Sequence, residues 1–210
     1  DERYIYVAAD AYKLPFVDGL FDGATMIRTL HHMQDAPAVL RQVRRVLQPA
    51  ATFILEYANK LNLKAILRYI LRKQDWSPFT PEQVEFVALN FDFHPKTVRK
   101  WLKEENFDLE RQLTVSHFRI GIFKRLFPSS FLAWLDSLAQ LTGDWWQLSP
   151  SVFTLNHARG KSPIAADGAF FQCPKCGTPL ADTPNMLTCS ECGAKYAVRN
   201  GIYDFRELVG

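Results

Sequence analysis

Residues 10–56 read DAYKLPFVDGLFDGATMIRTLHHMQDAPAVLRQVRRVLQPAATFILE, and this stretch decides the fold. Just ahead of it, Arg3 to Ala8 is a β-branched and aromatic run that leads into Asp10. A Leu14-Pro15-Phe16 turn follows, then Asp22 and a second short apolar run. After these come a helix and the apolar run Thr52–Leu55, which ends on Glu56. Strand, loop, strand, helix, strand without hairpin signals predicts parallel strands joined by crossovers. In open α/β sheets of that kind the carboxyl ends of the strands line the ligand crevice. Asp10, the Met26–His32 segment and Glu56 fall at those ends.

The helix opens after Asp35. Val39, Leu40, Val43, Val46 and Leu47 recur at helical spacing and are expected to face the sheet. Arg41, Arg44 and Arg45 spread around its polar side, and Gln48-Pro49 ends it. His31 and His32 sit in the loop before it, where packing and loop hydrogen bonds are the ordinary use of such residues.

In order and spacing, Asp10-Ala11, Leu14-Pro15-Phe16, Phe21-Asp22, Leu30-His31-His32, Asp35 and Arg45-Val46-Leu47-Gln48-Pro49 resemble class I S-adenosylmethionine-dependent methyltransferases. The resemblance is to the small-molecule type 11 branch, which includes quinone-biosynthesis enzymes, and it covers roughly the first third of the chain. It implies that Asp10 accepts a hydrogen bond from the adenine amino group, with the Ala11 backbone beside the ring. It further implies that Met26, Ile27, Arg28 and His31 line the methionine end of the cofactor. Two departures stand out. Ala50-Ala51 occupies the place of the family's glycine pair. The Gly-rich loop and the ribose-binding acid of the family are missing, and the 10 glycines form no G-x-G. A sheet without those strands would expose two apolar edges. The expectation is therefore an α/β fold: the carboxyl-terminal part of a Rossmann-like methyltransferase sheet, completed by an amino-terminal segment of the same enzyme. A degenerate relative that does not bind the cofactor is the alternative.

Composition is that of a globular chain: 48% hydrophobic, 22% charged and 13% aromatic residues, with a net charge of +3. That charge does not by itself argue for nucleic acid. No apolar run approaches the ~20 residues that span a bilayer. All four cysteines lie after position 172, as two C-x-x-C pairs. This clustering reads as metal in a reducing, cytoplasmic setting and not as a disulfide scaffold.

Beyond Glu56, a helix over 61–73 carries an apolar stripe of Leu63, Ile66, Leu67, Ile70 and Leu71. Lys60, Lys64, Arg68 and Arg72 fall four apart on a neighbouring face, joined by Lys73. Like charges at that spacing repel, so the stripe either faces an anionic partner or is a solvated face balanced elsewhere. The resemblance implies a helical lid insertion here. Thr80-Pro81-Glu82-Gln83 reads as a helix start with Val84, Val87, Ala88 and Phe91 inward. A further helix is expected over 96–106, with Val98, Trp101 and Leu102 inward. Strands are expected over 112–119 and 151–158, antiparallel to each other by the resemblance. The aromatics between them, among them Phe127, Phe131, Trp134, Trp145 and Trp146, are expected in core and lid packing. Asn59, His117 and Asn156 receive no chemistry from sequence.

Residues 160–168 read as a linker between a methyltransferase part over 1–159 and a small module over 169–210. In that module Cys173-Pro174-Lys175-Cys176-Gly177 and Cys189-Ser190-Glu191-Cys192-Gly193 form paired knuckles. Two intervening residues let both sulfurs reach one ion, and the glycine permits the turn beneath. Cys173, Cys176, Cys189 and Cys192 would close a tetrahedron around a structural zinc. Residues 195–202 resemble the zinc-ribbon proteins that activate tRNA and release-factor methyltransferases, with Ala197, Asn200 and Tyr203 departing from their pattern. This implies a ribbon that packs on a methyltransferase domain. With four basic and four acidic residues over 173–210, the ribbon suits phosphate-backbone binding poorly.

The function expected is methyl transfer to a small molecule in preference to RNA. Positioning carries most of that catalysis. If a general base exists, Glu56 and His31 are the candidates. The rival reading is a non-catalytic adaptor on a degenerate sheet.

Overall fold

The computed structural model describes residues 4–118, 121–161 and 163–209. They divide into two compact units. One takes the residues up to Gly23, Ala38–Ala51 and those from Gly160 on; the other takes Ala24–Pro37 and Thr52–Arg159.

In the first unit, β1 (Tyr6–Ala8) is a strand where sequence expects one, but its partner is unexpected. It pairs in parallel with β12 (Ile202–Asp204), in the register Tyr6↔Ile202, Val7↔Tyr203 and Ala8↔Asp204. The sheet runs on through β11 (Lys195–Arg199) to β10 (Met186–Thr188), both antiparallel pairs, and β8 (Phe171–Gln172) pairs antiparallel with β9 (Pro179–Leu180) in the same unit. β1 thus covers an edge of the cysteine module that would otherwise stand open. The core beneath joins Phe171, Leu180, Leu187, Tyr196 and Phe205 to Val7, Ala9, Phe16 and Phe170. The module therefore shares its apolar core with residues from the start of the chain.

Helix α1 (Ala36–Val46) buries Val39, Leu40, Val43 and Val46, as read from sequence, together with Ala36; Leu47, read with them, is buried just beyond the helix, at the start of a strand. Its arginines are a correction, because two of the three are structural. Arg44 is buried and donates to the Leu47 carbonyl. Arg45 donates to the carbonyls of Leu14 (2.8 Å) and Phe16 (2.7 Å) and pairs with Asp18 at 2.7 Å. The Leu14-Pro15-Phe16 turn is held by that guanidinium, whose planar fork can serve several acceptors at once.

The second unit is built on the sheet β2–β3–β7–β6. Its strands are β2 (Phe21–Met26), β3 (Leu47–Ala58), β6 (Phe107–Val115) and β7 (Ser151–Ala158). β7 lies antiparallel to both β3 and β6. It matches its expected bounds and alternates strictly, with Val152, Thr154, Asn156 and Ala158 buried. β6 starts well before the expected 112, and the end of that expected strand, Arg119, lies outside the described residues. Helix α3 (Pro95–Glu104) is capped by His94, whose Nδ1 accepts from the Lys96 amide at 3.2 Å, and buries Val98 and Leu102.

Three expectations are overturned. Thr80 does not open a helix: residues 84–92 form a hairpin of β4 (Val84–Val87) and β5 (Asn90–Asp92), and of its apolar residues only Phe91 is fully buried. Helix α2 spans Leu63–Ile70, shorter than expected, with Asn62 as its cap; Leu63, Leu67, Ile70 and Leu71 are exposed. The aromatic segment is not core either. Helices α4 (Gly121–Leu126) and α5 (Ser129–Gln140) leave Phe127, Phe131 and Trp134 exposed, and Trp145 beyond them is 81% exposed. Only Leu132 of α5 is buried. No helix among the described residues is long and apolar enough to cross a membrane.

Ala50, where the resemblance expects glycine, has φ +62° and is exposed. A Cβ in that left-handed region is strained. Ala50→Gly should stabilise the chain by up to about 1 kcal/mol, after allowing for the greater unfolded-state entropy of glycine. Urea denaturation checks this.

Candidate functional site

The first unit brings the four cysteines together. Their Sγ atoms all lie within 4.8 Å of one another, with Cys173–Cys192 at 3.7 Å and Cys176–Cys189 at 3.4 Å. Four sulfurs at ~2.3 Å from one ion stand about 3.8 Å apart, so the cluster is of tetrahedral-site size. Backbone turns build it. The Gly177 amide donates to Cys173 and the Gly193 amide to Cys189, and both glycines have positive φ, +79° and +68°. Tyr196 reaches the Cys173 sulfur at 3.3 Å, and the Thr178 hydroxyl lies 3.3 Å from that of Cys176. Among the described residues this is the one cluster of metal-ligating type.

Asp10 and Ala11 belong to the same unit. Asp10 is exposed, and its Oδ1 accepts from the Tyr12 amide at 2.9 Å while its carbonyl accepts from Lys13. This turn fixes the carboxylate's direction.

Met26, Ile27, Arg28 and His31 belong to the second unit, where Glu56 holds the turn at Arg28. Arg28 has φ +56°, and its amide donates to Glu56 Oε2 at 2.8 Å. The other oxygen, Oε1, accepts from the Ser151 hydroxyl of β7. The buried carboxylate therefore ties the left-handed turn after β2 to the central strands, and both its oxygens are occupied. That is a positioning arrangement rather than that of a free base. His31 is half-buried against His32, with ring centroids 4.1 Å apart. Burial, then His32, lowers its pKa, against the pull of Glu56. His32 Nδ1 lies 3.1 Å from the Leu89 carbonyl, the loop role that sequence suggests.

A polar cluster at the end of β3 was not legible. Lys60, assigned by spacing to the basic stripe, is 0% exposed. Its ammonium donates to the Glu82 carbonyl (2.6 Å) and the Thr80 hydroxyl (3.1 Å). Burial lowers its pKa, opposed by Glu82 and Asp92. The stripe thus begins at Lys64. Asn59, equally buried, donates from Nδ2 to the carbonyls of Gln147 (2.7 Å) and Ser149 (2.8 Å). Nothing in residues 59–60 distinguishes such roles; only the contacts of residues far along the chain do.

Residues 1–55 match the family model of the methyltransferase domain. That segment is similar to methyltransferase-domain sequence. It holds Asp10, Ala11, Met26, Ile27, Arg28 and His31, and ends one residue before Glu56. The 2-phytyl-1,4-naphtoquinone methyltransferase of Nostoc punctiforme is 33% identical over 104 residues, covering 38% of this chain and 45% of that protein. The 27-O-demethylrifamycin SV methyltransferase of Amycolatopsis mediterranei is 42% identical over 55 residues, 26% of this chain and 20% of that one. A solved SAM-dependent methyltransferase from Methanosarcina mazei is 20% identical, with a TM-score of 0.43 over 73% of this chain and 66% of that one. The chain spans about half the length, or less, of the curated relatives it matches.

Next to Lys60, Asp92 has a carboxyl pushed up to about 6, by burial against the pull of the ammonium. A raised carboxyl holds its proton longer when folded. Stability is therefore lost as pH rises from 3.8 through about 6, and the loss is constant above that. Asp92→Asn should be more stable than the parent by about 1–3 kcal/mol near neutral pH, with the difference vanishing toward pH ~4. Urea titrations at the two pH values measure it.

Proposed function

We propose that this chain is the carboxyl-terminal part of an S-adenosylmethionine-dependent methyltransferase carrying a structural zinc ribbon. The observation that carries the reading is the match of residues 1–55 to the methyltransferase domain, because it contains the whole set of cofactor-contact candidates. S-adenosylmethionine supplies an already reactive methyl group, so the protein's part is to hold and align. Asp10 accepts from the adenine amino group, with its turn to Tyr12 orienting the carboxylate and Ala11 beside the ring. Met26, Ile27, Arg28 and His31 line the methionine end, and Glu56 keeps their loop in shape through the Arg28 amide. The acceptor is a small molecule in preference to RNA, a choice supported by relatives named for a naphthoquinone and a rifamycin. In the full-length gene product, Asp10→Ala should weaken S-adenosylmethionine binding by about 1–3 kcal/mol, the loss typical of a hydrogen bond to a charged group. An unchanged affinity in calorimetry overturns the assignment of Asp10.

The metal is zinc, held by Cys173, Cys176, Cys189 and Cys192. Four thiolates satisfy its tetrahedral preference and leave no open position, so its role is structural. It stabilises a module whose own apolar core is small. The purified protein should contain about one zinc per chain, lost on any single Cys→Ser change. Protein that is folded yet zinc-free by metal analysis refutes this.

A further inference from the structure

The second unit contains a groove of about 710 Å³, beside α2. Its apolar lining is Leu63, Leu67, Leu71, Leu148 and Pro150. All three α2-side leucines and Leu148 are exposed, so no other part of the second unit among the described residues fills the groove. Its wall is fixed from behind. The Leu63 amide donates to the Leu148 carbonyl at 2.8 Å, the Asn59 amide to Pro150 at 2.9 Å, and Asn59 Nδ2 to Gln147 and Ser149.

The charges around it have one sign. Lys64, Arg68 and Lys73 line the groove, and among the described residues no carboxylate does. Among the described residues the side chains of these three cations have no ion-pair partner, and neither has Arg72. His117, also in the lining, is held by Asp136 at 2.9 Å through Nδ1 and by Thr114 at 3.1 Å through Nε2. Asp136 is therefore committed to His117 and to the amides of Ser116 and His117, and among the described residues it forms no ion pair with the α2 cations.

We propose that this groove binds a small amphiphilic anion, an apolar chain or ring bearing one carboxylate or phosphate. Volume and lining both suit it: small-molecule sites occupy ~300–1,000 Å³ and combine a mainly apolar wall with a few convergent polar groups. A purely apolar ligand leaves the cations without use, and inorganic phosphate alone leaves the leucines wet. The two together select a molecule with both features, and the unpaired cations gain most from an anion partly withdrawn from water.

Calorimetry with decyl phosphate, decanol and inorganic phosphate, without S-adenosylmethionine, tests this independently of methyl transfer. Decyl phosphate should bind at least about tenfold more tightly than either of the others. Lys64→Glu with Arg68→Glu should weaken it about tenfold or more, as should Leu67→Ser, and salt raised to ~0.5 M should weaken it several-fold. Lys103→Glu, on α3 and outside the groove's lining, should leave binding unchanged. Thermal melting shows whether each variant remains folded. Equal binding of decanol, or full binding by the folded charge-reversed variant, overturns the proposal. So does capture by phosphatidylglycerol vesicles without binding of dispersed decyl phosphate, which makes the surface a membrane contact. No binding by the full-length protein means that its own chain covers the groove, and overturns the proposal as well.

Discussion

Seven backbone pairs between β3 and β7, from Thr52↔His157 to Ala58↔Ser151, fix nearly everything of interest in the second unit. The ladder joins residues about a hundred positions apart, so closing it costs substantial loop entropy that only a well-packed sheet offsets. Phe53, Leu55 and Tyr57 supply that packing on one face, all fully buried. As β3 leaves the ladder, successive polar residues each fasten a different distant segment. Glu56 fastens the Arg28 turn, Asn59 the 147–150 segment, and Lys60 the 80–82 segment. The candidate cofactor loop and the groove beside α2 are thus positioned by residues only three apart.

What sequence could show follows from the range of the interactions involved. The inner face of α1, the bounds of β7 and the two cysteine knuckles rest on spacing within one element, and each is found as read. The partner of β1 rests on pairing with β12 across the whole chain, which no local pattern encodes. Thr80-Pro81-Glu82-Gln83 carries every local mark of a helix start. Yet the Glu82 carbonyl accepts from Lys60, and the chain turns into a hairpin. Lys60 departs from its sequence pattern for the same reason. Its spacing with Lys64 and Arg68 is helical, but it precedes the helix, and the acceptors that make its burial tolerable lie some twenty residues on.

The exposed aromatic segment has a different origin. Helix α5 is apolar on most of its circumference, and its packing on β6 covers only the side marked by Leu132. Phe127, Phe131 and Trp134 pack against one another instead, with centroids 5.6 and 5.9 Å apart. Hydrophobic content therefore overstates the core here, because burial is decided by how many faces a helix has to share.

Net charge misleads in a similar way. The +3 is small, but the cations behind it are not equivalent. Lys60, Arg44 and Arg45 are consumed by carbonyls and carboxylates within the fold, and Arg99 is turned toward Gln112 and Gln147. Among the described residues Lys64, Arg68, Arg72 and Lys73 have no ion-pair partner, and they fall within ten residues of one another. At physiological salt an exposed charge is felt over only ~8 Å. A ligand arriving at the groove therefore meets Lys64, Arg68 and Lys73, whatever the sum over the chain, and the amphiphilic anion proposed for it is the one that uses both these cations and the apolar wall beside them.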